Sequence, residues 1–342
     1  MMAVSKADEH NGFAGGTNRH IPVLFDAMLE HLSPQDDEIF VDGTFGAGGY
    51  SRGILEQANC KVIGIDQDPN AVREARPLLR EFGPRLELVE GAYSEMDQHL
   101  SRLGFEQVDG VVLDIGVSSM QLDQAERGFS FRLNGPLDMR MSQAGPTAAD
   151  LVNGLAEEEI ATILWRFGQE RKSRQIARAI VDRRAREAFC ETSDLAQLIE
   201  KVVPKKPKDK IHSATRSFQA LRIYLNDELG ELLRGLNGAT KLLKPGGRLV
   251  VVSFHSLEDK IVKAFLRVSS GRVPNRSRHL PDLNEEIAPS FQIINQKGVK
   301  ARDEEVRVNP RARSAVLRAG IRTENAPQLY DEGQLGLEPL QL

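Results

Sequence analysis

Residues 39–55 read IFVDGTFGAGGYSRGIL, a short apolar run followed by a glycine-rich loop and a segment with helical character. The apolar run predicts a buried strand. Glycine permits positive φ angles and a close approach of the backbone to a ligand. A helix start adds unpaired backbone N–H groups. The stretch therefore predicts a ligand cradle in an α/β sheet, although a plain tight turn would give the same pattern.

Strands and helices alternate on both sides of this loop. Apolar runs that predict further strands lie at 61–65, 86–89, 108–113, 249–253, 291–295 and 314–318. This alternation is typical of a mostly parallel, doubly wound sheet, and the last two runs predict an antiparallel pair. Such sheets bind ligands at the carboxyl ends of their strands, and the polar residues of interest follow directly after strands.

About a hundred residues between the fourth and fifth strands have helical character and contain no convincing strand. That length is too great for a normal crossover, so we predict an inserted helical substrate-recognition domain at 123–225. The α/β domain is then discontinuous, at 20–122 and 226–322. The flanking residues 1–19 and 323–342 are predicted to be disordered tails.

Composition excludes several classes of protein. The formal net charge of −4 over 342 residues excludes a chain-wide attraction to nucleic acid. Cys60 and Cys190 have neither metal-ligand spacing nor a disulfide framework. No apolar run is long enough to span a membrane, and the first residues lack a signal-peptide core. We expect a cytoplasmic protein with no membrane partner and no metal site.

Asp66 directly follows the second strand, 18 residues after Gly48. A carboxylate about twenty residues after such a loop can accept hydrogen bonds from ribose hydroxyls. Both nicotinamide dinucleotides and S-adenosylmethionine offer that ribose. Ser51 stands where a dinucleotide site requires its third glycine, which disfavours the dinucleotide. Helix capping is the structural alternative for Asp66, but Asp68 can take that position.

Several longer motifs follow one another along the chain. They read HIPVL at 20–24, LDIGVSSMQLD at 113–123, ERGFSFRLNGPLDMRM at 126–141, SFHSLEDK at 253–260 and NPRARSAVLR at 309–318. With the glycine loop, they closely resemble the bacterial 16S ribosomal RNA cytosine-N4 methyltransferase family over about residues 20–320. The resemblance implies a Rossmann-like, S-adenosylmethionine-dependent enzyme that methylates the N4 amine of a cytosine in 16S rRNA. By resemblance, that base is the decoding-centre cytosine 1402.

The same resemblance implies a set of cofactor contacts. They are Gly48, Gly49, Tyr50, Asp66, Tyr93, Asp114 and Gln121. Tyr50 stands where the family often has His, so a backbone contact survives there while a side-chain contact is in doubt. Tyr93 stands where Phe is frequent, and it is expected to flank the adenine.

The acceptor chemistry needs polar groups beside the base. An exocyclic amine conjugated to its ring is a poor nucleophile, so a hydrogen-bond acceptor or a base would assist it. Asp114 is a candidate for this role or for cofactor binding alone. Ser118 and Ser119 could contact the base or merely shape a turn, and His255 is either a base contact or a structural histidine. Methylation at carbon C5 would need a cysteine nucleophile, and neither cysteine follows a strand.

Positive charge is concentrated in the predicted insert. Between Trp165 and Arg222 there are 15 Lys and Arg against 7 Asp and Glu, an excess of 8. The densest run comprises Arg171, Lys172, Arg174, Arg178, Arg183, Arg184 and Arg186, and a lysine-rich loop follows at 205–210. These residues suit phosphate contacts, although a solvated, ion-paired face is the alternative.

Three functional classes remain at this point. The resemblance favours an RNA base methyltransferase whose partner is 16S rRNA within the small ribosomal subunit. An NAD-dependent oxidoreductase and a non-catalytic RNA-binding factor are the alternatives. The oligomeric state is left open, and a homodimer is one option.

Overall fold

The structure is a computed structural model that describes residues 22–205, 211–272 and 288–340. The predicted N-terminal tail and most of the lysine-rich loop lie outside these residues. Within them, no helix is long and apolar enough to cross a membrane.

One sheet forms the centre of the molecule. Its strands in the described residues are β1 (Ile39–Asp42), β2 (Lys61–Asp66), β3 (Leu86–Glu90), β4 (Val108–Asp114), β5 (Leu243–Ser253), β6 (Phe291–Ile293), β7 (Val299–Lys300) and β8 (Val316–Arg322). The order is β3-β2-β1-β4-β5-β8-β6, with β7 beside β8. The first five strands are parallel, and β8 is antiparallel to β5. The predicted doubly wound α/β fold is confirmed.

Helices cover both faces of the sheet and fill the insert. They are α1 (Phe25–Leu32), α2 (Gly49–Gln57), α3 (Pro69–Glu74), α4 (Arg76–Phe82), α5 (Met96–Arg102), α6 (Ser119–Asp123), α7 (Ala148–Gly154), α8 (Glu157–Gly168), α9 (Ser173–Arg184), α10 (Thr192–Val202), α11 (Thr215–Leu225), α12 (Glu228–Leu242), α13 (Ser256–Ser269) and α14 (Asp303–Val308). The helices α11 and α12 are separate, because Asp227 takes a left-handed φ of 46° between them.

Successive residues of each strand enter opposite hydrophobic layers. Both faces are covered, which is why the strands read as continuous apolar runs. The layer with α1 and α2 contains Phe40, Val62, Val112 and Val250. The opposite layer, which includes residues of α5, α12 and α13, contains Val41, Ile63, Val111 and Val251.

The insert, α7 to α11, shares its hydrophobic core with this second layer. Ile163 of α8, Ile176 of α9 and Leu221 of α11 belong to the same buried cluster as Leu113 of β4. The predicted limits of the insert, 123 and 225, coincide with the last residues of α6 and α11. That the insert is a separate domain stays a prediction, and the shared cluster argues against it.

Residues 323–340 differ from the predicted disordered tail. Tyr330, Leu335 and Leu340 are buried in the same cluster as the insert. The side chain of Asn237 in α12 exchanges two hydrogen bonds, of 2.9 and 3.0 Å, with the backbone of Tyr330. The segment has little regular structure, so its sequence lacks the periodicity that would reveal these isolated anchors.

Candidate active site

A cavity of about 520 Å³ opens at the carboxyl ends of β1 and β4. The strand order reverses between these two strands, which is where doubly wound sheets place their ligands. Its lining is acidic and includes Asp42, Asp66, Asp114, Glu228 and Glu231. Among the described residues that line it, Arg311 is the only Lys, Arg or His.

The glycine loop forms one side of this cavity. Gly48 is the N-cap of α2 with a φ of 74°, and a Cβ atom there would lie 2.7 Å from the ring of Phe45. A Cβ atom on Gly49 would collide with Pro22. Of the two glycines predicted to contact the cofactor, Gly49 lines the cavity, whereas Gly48 is not part of its lining. Gly48 shapes the loop behind it.

Tyr50 fastens the N-terminal segment onto the loop. Its side chain is buried and its hydroxyl donates to the carbonyl oxygen of Val23. Burial raises the pKa of Tyr50 well above its ordinary value, so the hydroxyl stays protonated as a donor. The residue also lines the cavity. The tyrosine side chain thus has a structural partner already, and a contact to a ligand can come from its backbone and ring.

Asp42 and Thr44 hold the loop to the neighbouring strand. Asp42 is buried and accepts from the hydroxyl of Ser51 at 2.7 Å and from the backbone N–H of Thr44 at 3.3 Å. The hydroxyl of Thr44 accepts from the backbone N–H of Asp114 at 2.6 Å. Burial raises the pKa of Asp42 to about 6. The hydroxyl of Thr44 therefore ties the glycine loop to the end of β4.

Asp66 lies at the end of β2 with its carboxylate in the cavity wall. Its oxygens accept from the backbone N–H groups of Gly46, at 2.7 Å, and Asp68, at 2.8 Å. Burial raises the pKa of Asp66 to about 6, against the lowering effect of these two hydrogen bonds. Asp68 is the N-cap of α3 and accepts from Asn70 at 3.0 Å. Capping is thus done by Asp68, which leaves Asp66 available for a ligand.

Asp114 has an unsatisfied carboxylate oxygen in the cavity wall. Its Oδ1 atom is buried without a hydrogen-bond partner among the described residues. Burial, with the negative charges of Asp42 and Glu258, raises its pKa well above the ordinary value. A buried acceptor without a partner costs about 1–3 kcal/mol, and groups with such perturbed pKa values cluster at functional sites. The Oδ1 atom of Asp114 is thus left able to accept a hydrogen bond from a group in the cavity.

Tyr93 and Gln121 both line the cavity, but their side chains are held in different ways. The ring of Tyr93 packs on Gly235, where a Cβ atom would lie 2.5 Å from it. Gln121 uses its amide within the protein. Its Oε1 accepts from the backbone of Ser118 at 3.0 Å, and its Nε2 donates to Asp68 at 3.1 Å. Gln121 therefore positions its neighbours at least as much as it presents itself to a ligand.

The remaining predicted residues are Ser118, Ser119 and His255, and they differ in whether they line the cavity. Ser118 lines the cavity but caps α6, since its hydroxyl accepts from Gln121 at 3.2 Å. Ser119 is the first residue of α6, and its side chain lies outside the described atoms. His255 is outside the cavity lining and caps α13, with Nε2 3.0 Å from Glu258. His255 thus has a structural partner, and its contact with the base stays a prediction.

A buried ionic group joins the sheet to the start of the insert, and sequence reasoning missed it. The guanidinium of Arg127 pairs with Asp68 and donates to the carbonyl oxygens of Arg140, at 2.9 Å, and Met141, at 3.0 Å. Gln143 donates to the other Asp68 oxygen at 3.2 Å. Arg127 was visible only as part of a motif, because its partner lies 59 residues away.

The basic run of the insert contains two kinds of arginine. Arg183 donates to the carbonyl oxygens of Glu187 and Ala188, at 2.6 and 2.7 Å, and Arg184 donates to that of Val152 at 2.8 Å. These arginines hold the insert together. The exposed arginines that form no ion pair with any described residue are Arg171, Arg174, Arg178 and Arg186. Part of the predicted RNA surface is therefore structural.

Comparison with known proteins identifies the family. A model described as the MraW methylase family matches residues 17–322. The chain belongs to the MraW methylase family. It is 55% identical over 317 residues to the ribosomal RNA small subunit methyltransferase H of Parvibaculum lavamentivorans, covering 93% of both chains. It is 57% identical over 309 residues to the enzyme of the same name from Rhodospirillum rubrum, covering 89% of this chain and 94% of that one.

A solved rRNA methylase from Streptococcus thermophilus is 11% identical, with a TM-score of 0.38, over 88% of this chain and 94% of that chain. That overall likeness is low, and membership of the MraW methylase family rests on the sequence matches. The motifs at 20–24, 113–123, 126–141, 253–260 and 309–318 all fall within the matched residues.

Proposed function

We propose that this member of the MraW methylase family uses S-adenosylmethionine to methylate the exocyclic N4 amine of a cytosine in 16S rRNA. By resemblance, the target is the decoding-centre cytosine 1402 of the small ribosomal subunit. The observation that carries the proposal is the unpaired, buried carboxyl oxygen of Asp114 in an acidic cavity. The relatives named small subunit methyltransferase H support the rRNA substrate.

The cavity residues fit this cofactor. S-adenosylmethionine has a positive sulfonium and a positive ammonium group, and the cavity offers several carboxylates and one guanidinium. We expect Asp66 to accept from the ribose hydroxyls, Tyr93 to pack beside the adenine and Gly49 to permit the close approach of the backbone. When bound, the cofactor supplies an electrophilic methyl group, so the protein contributes mainly alignment.

Asp114 is the group proposed to act on the acceptor amine. As a carboxylate it would accept a hydrogen bond from the amine N–H and stabilise the positive charge that develops on nitrogen. It could also take the proton. A carbon acceptor fits less well, because neither cysteine lines the cavity. Cys60 is buried, and burial raises its pKa to about 11.

The test compares Asp114→Asn with Asp109→Asn, a matched change at the opposite end of β4. Asp109 accepts from the backbone of Ile39 at 2.9 Å and lies outside the cavity lining. Loss of acid–base or charge stabilisation typically costs 10²–10⁴ in rate, so Asp114→Asn should lower kcat about a hundredfold or more. Asp109→Asn should retain most of it. Nucleoside mass analysis of 16S rRNA identifies the methylated atom.

Two results would contradict the proposal. If cells with and without the protein have the same content of N4-methylated cytosine in 16S rRNA, the assigned substrate is wrong. If Asp114→Asn retains full kcat while binding the cofactor poorly, Asp114 serves cofactor binding alone. A homodimer and a cytoplasmic location stay predictions that accompany this function.

A further inference from the structure

One wall of the cavity is formed by α14 and the short 3₁₀ turn after it, residues 303–314. The carboxylate of Glu305 accepts from the backbone N–H of Leu24 at 2.6 Å, which fastens α14 to the N-terminal segment. The side chain of Asn309 accepts from the backbone of Arg311 at 3.2 Å, and Ala312 is fully buried against the sheet. This wall is therefore held from both ends, and its cavity-facing residues have defined positions.

Arg311 is held in this wall by one side of its guanidinium. Its Nη2 atom donates to Asp123 at the end of α6, at 2.9 Å. Its Nη1 atom is buried and has no hydrogen-bond partner among the described residues. Leaving a buried donor of a charged group unpaired is costly, and each such group in a folded protein calls for an explanation such as a ligand.

The charge of Arg311 sets it apart from the rest of the cavity. The other charged residues in the lining are all acidic, and these suit a cationic cofactor. A guanidinium instead suits an anionic or carbonyl oxygen, because its N–H groups donate in a fixed planar fork. RNA supplies such oxygens at every phosphate and on the cytosine ring.

The wall also faces solvent, which is the side from which a macromolecule must enter. Val308 lines the cavity yet is 73% exposed, and the side chain of Arg311 is about one-third exposed although its Nη1 atom is not. An exposed valine beside an unpaired donor offers an apolar surface and a hydrogen bond to the same incoming group. Asp42, by contrast, is 1% exposed at the bottom of the cavity.

We propose that Arg311 is a substrate contact, donating from Nη1 to an oxygen of the acceptor nucleotide, while Val308 packs against that nucleotide. This inference rests on the proposed function, because it takes RNA as the substrate. The proposal adds a residue that recognises the acceptor nucleotide. That residue is positively charged, whereas the other charged residues of the cavity lining are acidic. Asp123 is the positioning residue that aims the guanidinium.

The experiment measures binding rather than turnover, so that it does not depend on which atom is methylated. Small ribosomal subunits from cells lacking this protein are titrated with wild type, Arg311→Gln and Arg313→Gln. Arg313 is the matched control, since it is exposed in the same turn and lies outside the cavity lining. Arg311→Gln should weaken subunit binding about ten- to a hundredfold, whereas Arg313→Gln should change it no more than a few-fold.

Calorimetry with S-adenosylmethionine alone separates the alternatives. The proposal expects its Kd to stay within about twofold in Arg311→Gln, which also shows that the variant is folded. Arg311→Lys, which keeps the charge and loses the fork, should recover part of the subunit affinity. If Arg311→Gln weakens cofactor binding and leaves subunit binding intact, Nη1 serves the cofactor carboxylate. Equal losses of subunit affinity in Arg311→Gln and Arg313→Gln would contradict the proposal, because the effect would then come from the positive charge of the turn and not from a specific contact of Arg311. Failure of the wild type to methylate cytosine N4 overturns only the proposed function.

Discussion

The acidic cavity and the basic face of α9 are both concentrations of charge, but their side chains are held differently. Asp42 is buried and Asp66 is half-buried, and each accepts two hydrogen bonds of 2.7–3.3 Å from fixed neighbours. On α9 and beside it, Arg174 and Arg178 are exposed and form no ion pair with any described residue. The first arrangement is a preorganised site for a small ligand. The second can attract a polyanion without fixing its position.

We expect the largest effect from a substitution that removes the ionic contact between the sheet and the insert. Arg127 is 6% exposed, and its guanidinium is shared between Asp68 and two backbone carbonyl oxygens. Arg127→Ala leaves Asp68 as a buried charge without its cation, which typically costs about 3–5 kcal/mol. The free energy of unfolding, measured in urea, should fall by that amount.

The matched control for this change is Arg178→Ala, which removes an exposed arginine from α9. Surface changes of that kind usually stay within about 0.5 kcal/mol. If the two variants are equally stable, the Arg127 group does not bind the insert to the sheet, and the shared hydrophobic cluster alone does so.

The next effect concerns the cofactor side of the cavity. Asp66→Ala removes a charge-assisted hydrogen bond to the ribose, so binding of S-adenosylmethionine should weaken by about 1.5–3 kcal/mol. Calorimetry measures it directly. Glu90→Ala is the control, because Glu90 ends the adjacent β3 but is exposed and outside the cavity lining. An unchanged cofactor affinity in Asp66→Ala would remove Asp66 from the site.

The same carboxylate predicts how cofactor binding depends on pH. Burial raises the pKa of Asp66 to about 6 in the free protein, so the carboxyl group is mostly protonated at pH 5. Because the ionised form is the better acceptor and attracts a cation, the cofactor affinity should rise from pH 5 to 7 and then level off. The slope should not exceed about tenfold per pH unit for this group.

Asp42, whose pKa is also raised to about 6, contributes to the same pH range. Asp66→Ala should therefore flatten the curve without abolishing it. The stability of the ligand-free protein should depend on pH in the opposite direction. These two groups hold protons more tightly when folded than the ordinary value of 3.8 implies, so their contribution to stability falls as pH rises from about 4 to 7. An affinity that is flat from pH 5 to 7 in the wild type would contradict the assignment.

The comparison also explains what could be predicted from the sequence. Asp66, Tyr93 and Asp114 come after strands, and they line one cavity because parallel strands bring their carboxyl ends to one edge. Their contacts with a ligand stay predictions. Arg127 and Arg311 were not predicted as site residues, because their partners lie 59 and 188 residues away. For His255, which follows β5, the sequence left a base contact and a structural role open, and its ring caps α13.

The insert and the C-terminal segment show what helical periodicity cannot predict. The helices α8, α9 and α10 agree with the helical character that the sequence shows between the fourth and fifth strands. Periodicity says nothing about which cluster an element joins. The insert and residues 323–340 both pack into the layer that covers one face of the sheet, and no local pattern reveals that.

The smallest expected effect concerns the basic face, and it sharpens the distinction between free and structural arginines. Replacing Arg171, Arg174 and Arg178 with Gln should weaken binding to small ribosomal subunits and flatten its dependence on salt. Each lost phosphate contact lowers the slope of log K against log salt by about 0.7–0.9. Cofactor affinity should not change, because none of the three lines the cavity. At saturating RNA, kcat should also change little, since loss of uniform binding affects KM.

The contrasting variant replaces Arg183 and Arg184, which the sequence alone placed in the same RNA-binding group. Both donate to backbone carbonyl oxygens at 2.6–2.8 Å, and Arg183 also lies over the ring of Phe189 at 4.3 Å. Their loss should lower the free energy of unfolding and leave the salt slope nearly unchanged. If instead this pair changes the slope as much as the exposed three do, the hydrogen bonds of Arg183 and Arg184 give way to RNA. The basic face would then extend to the end of α9.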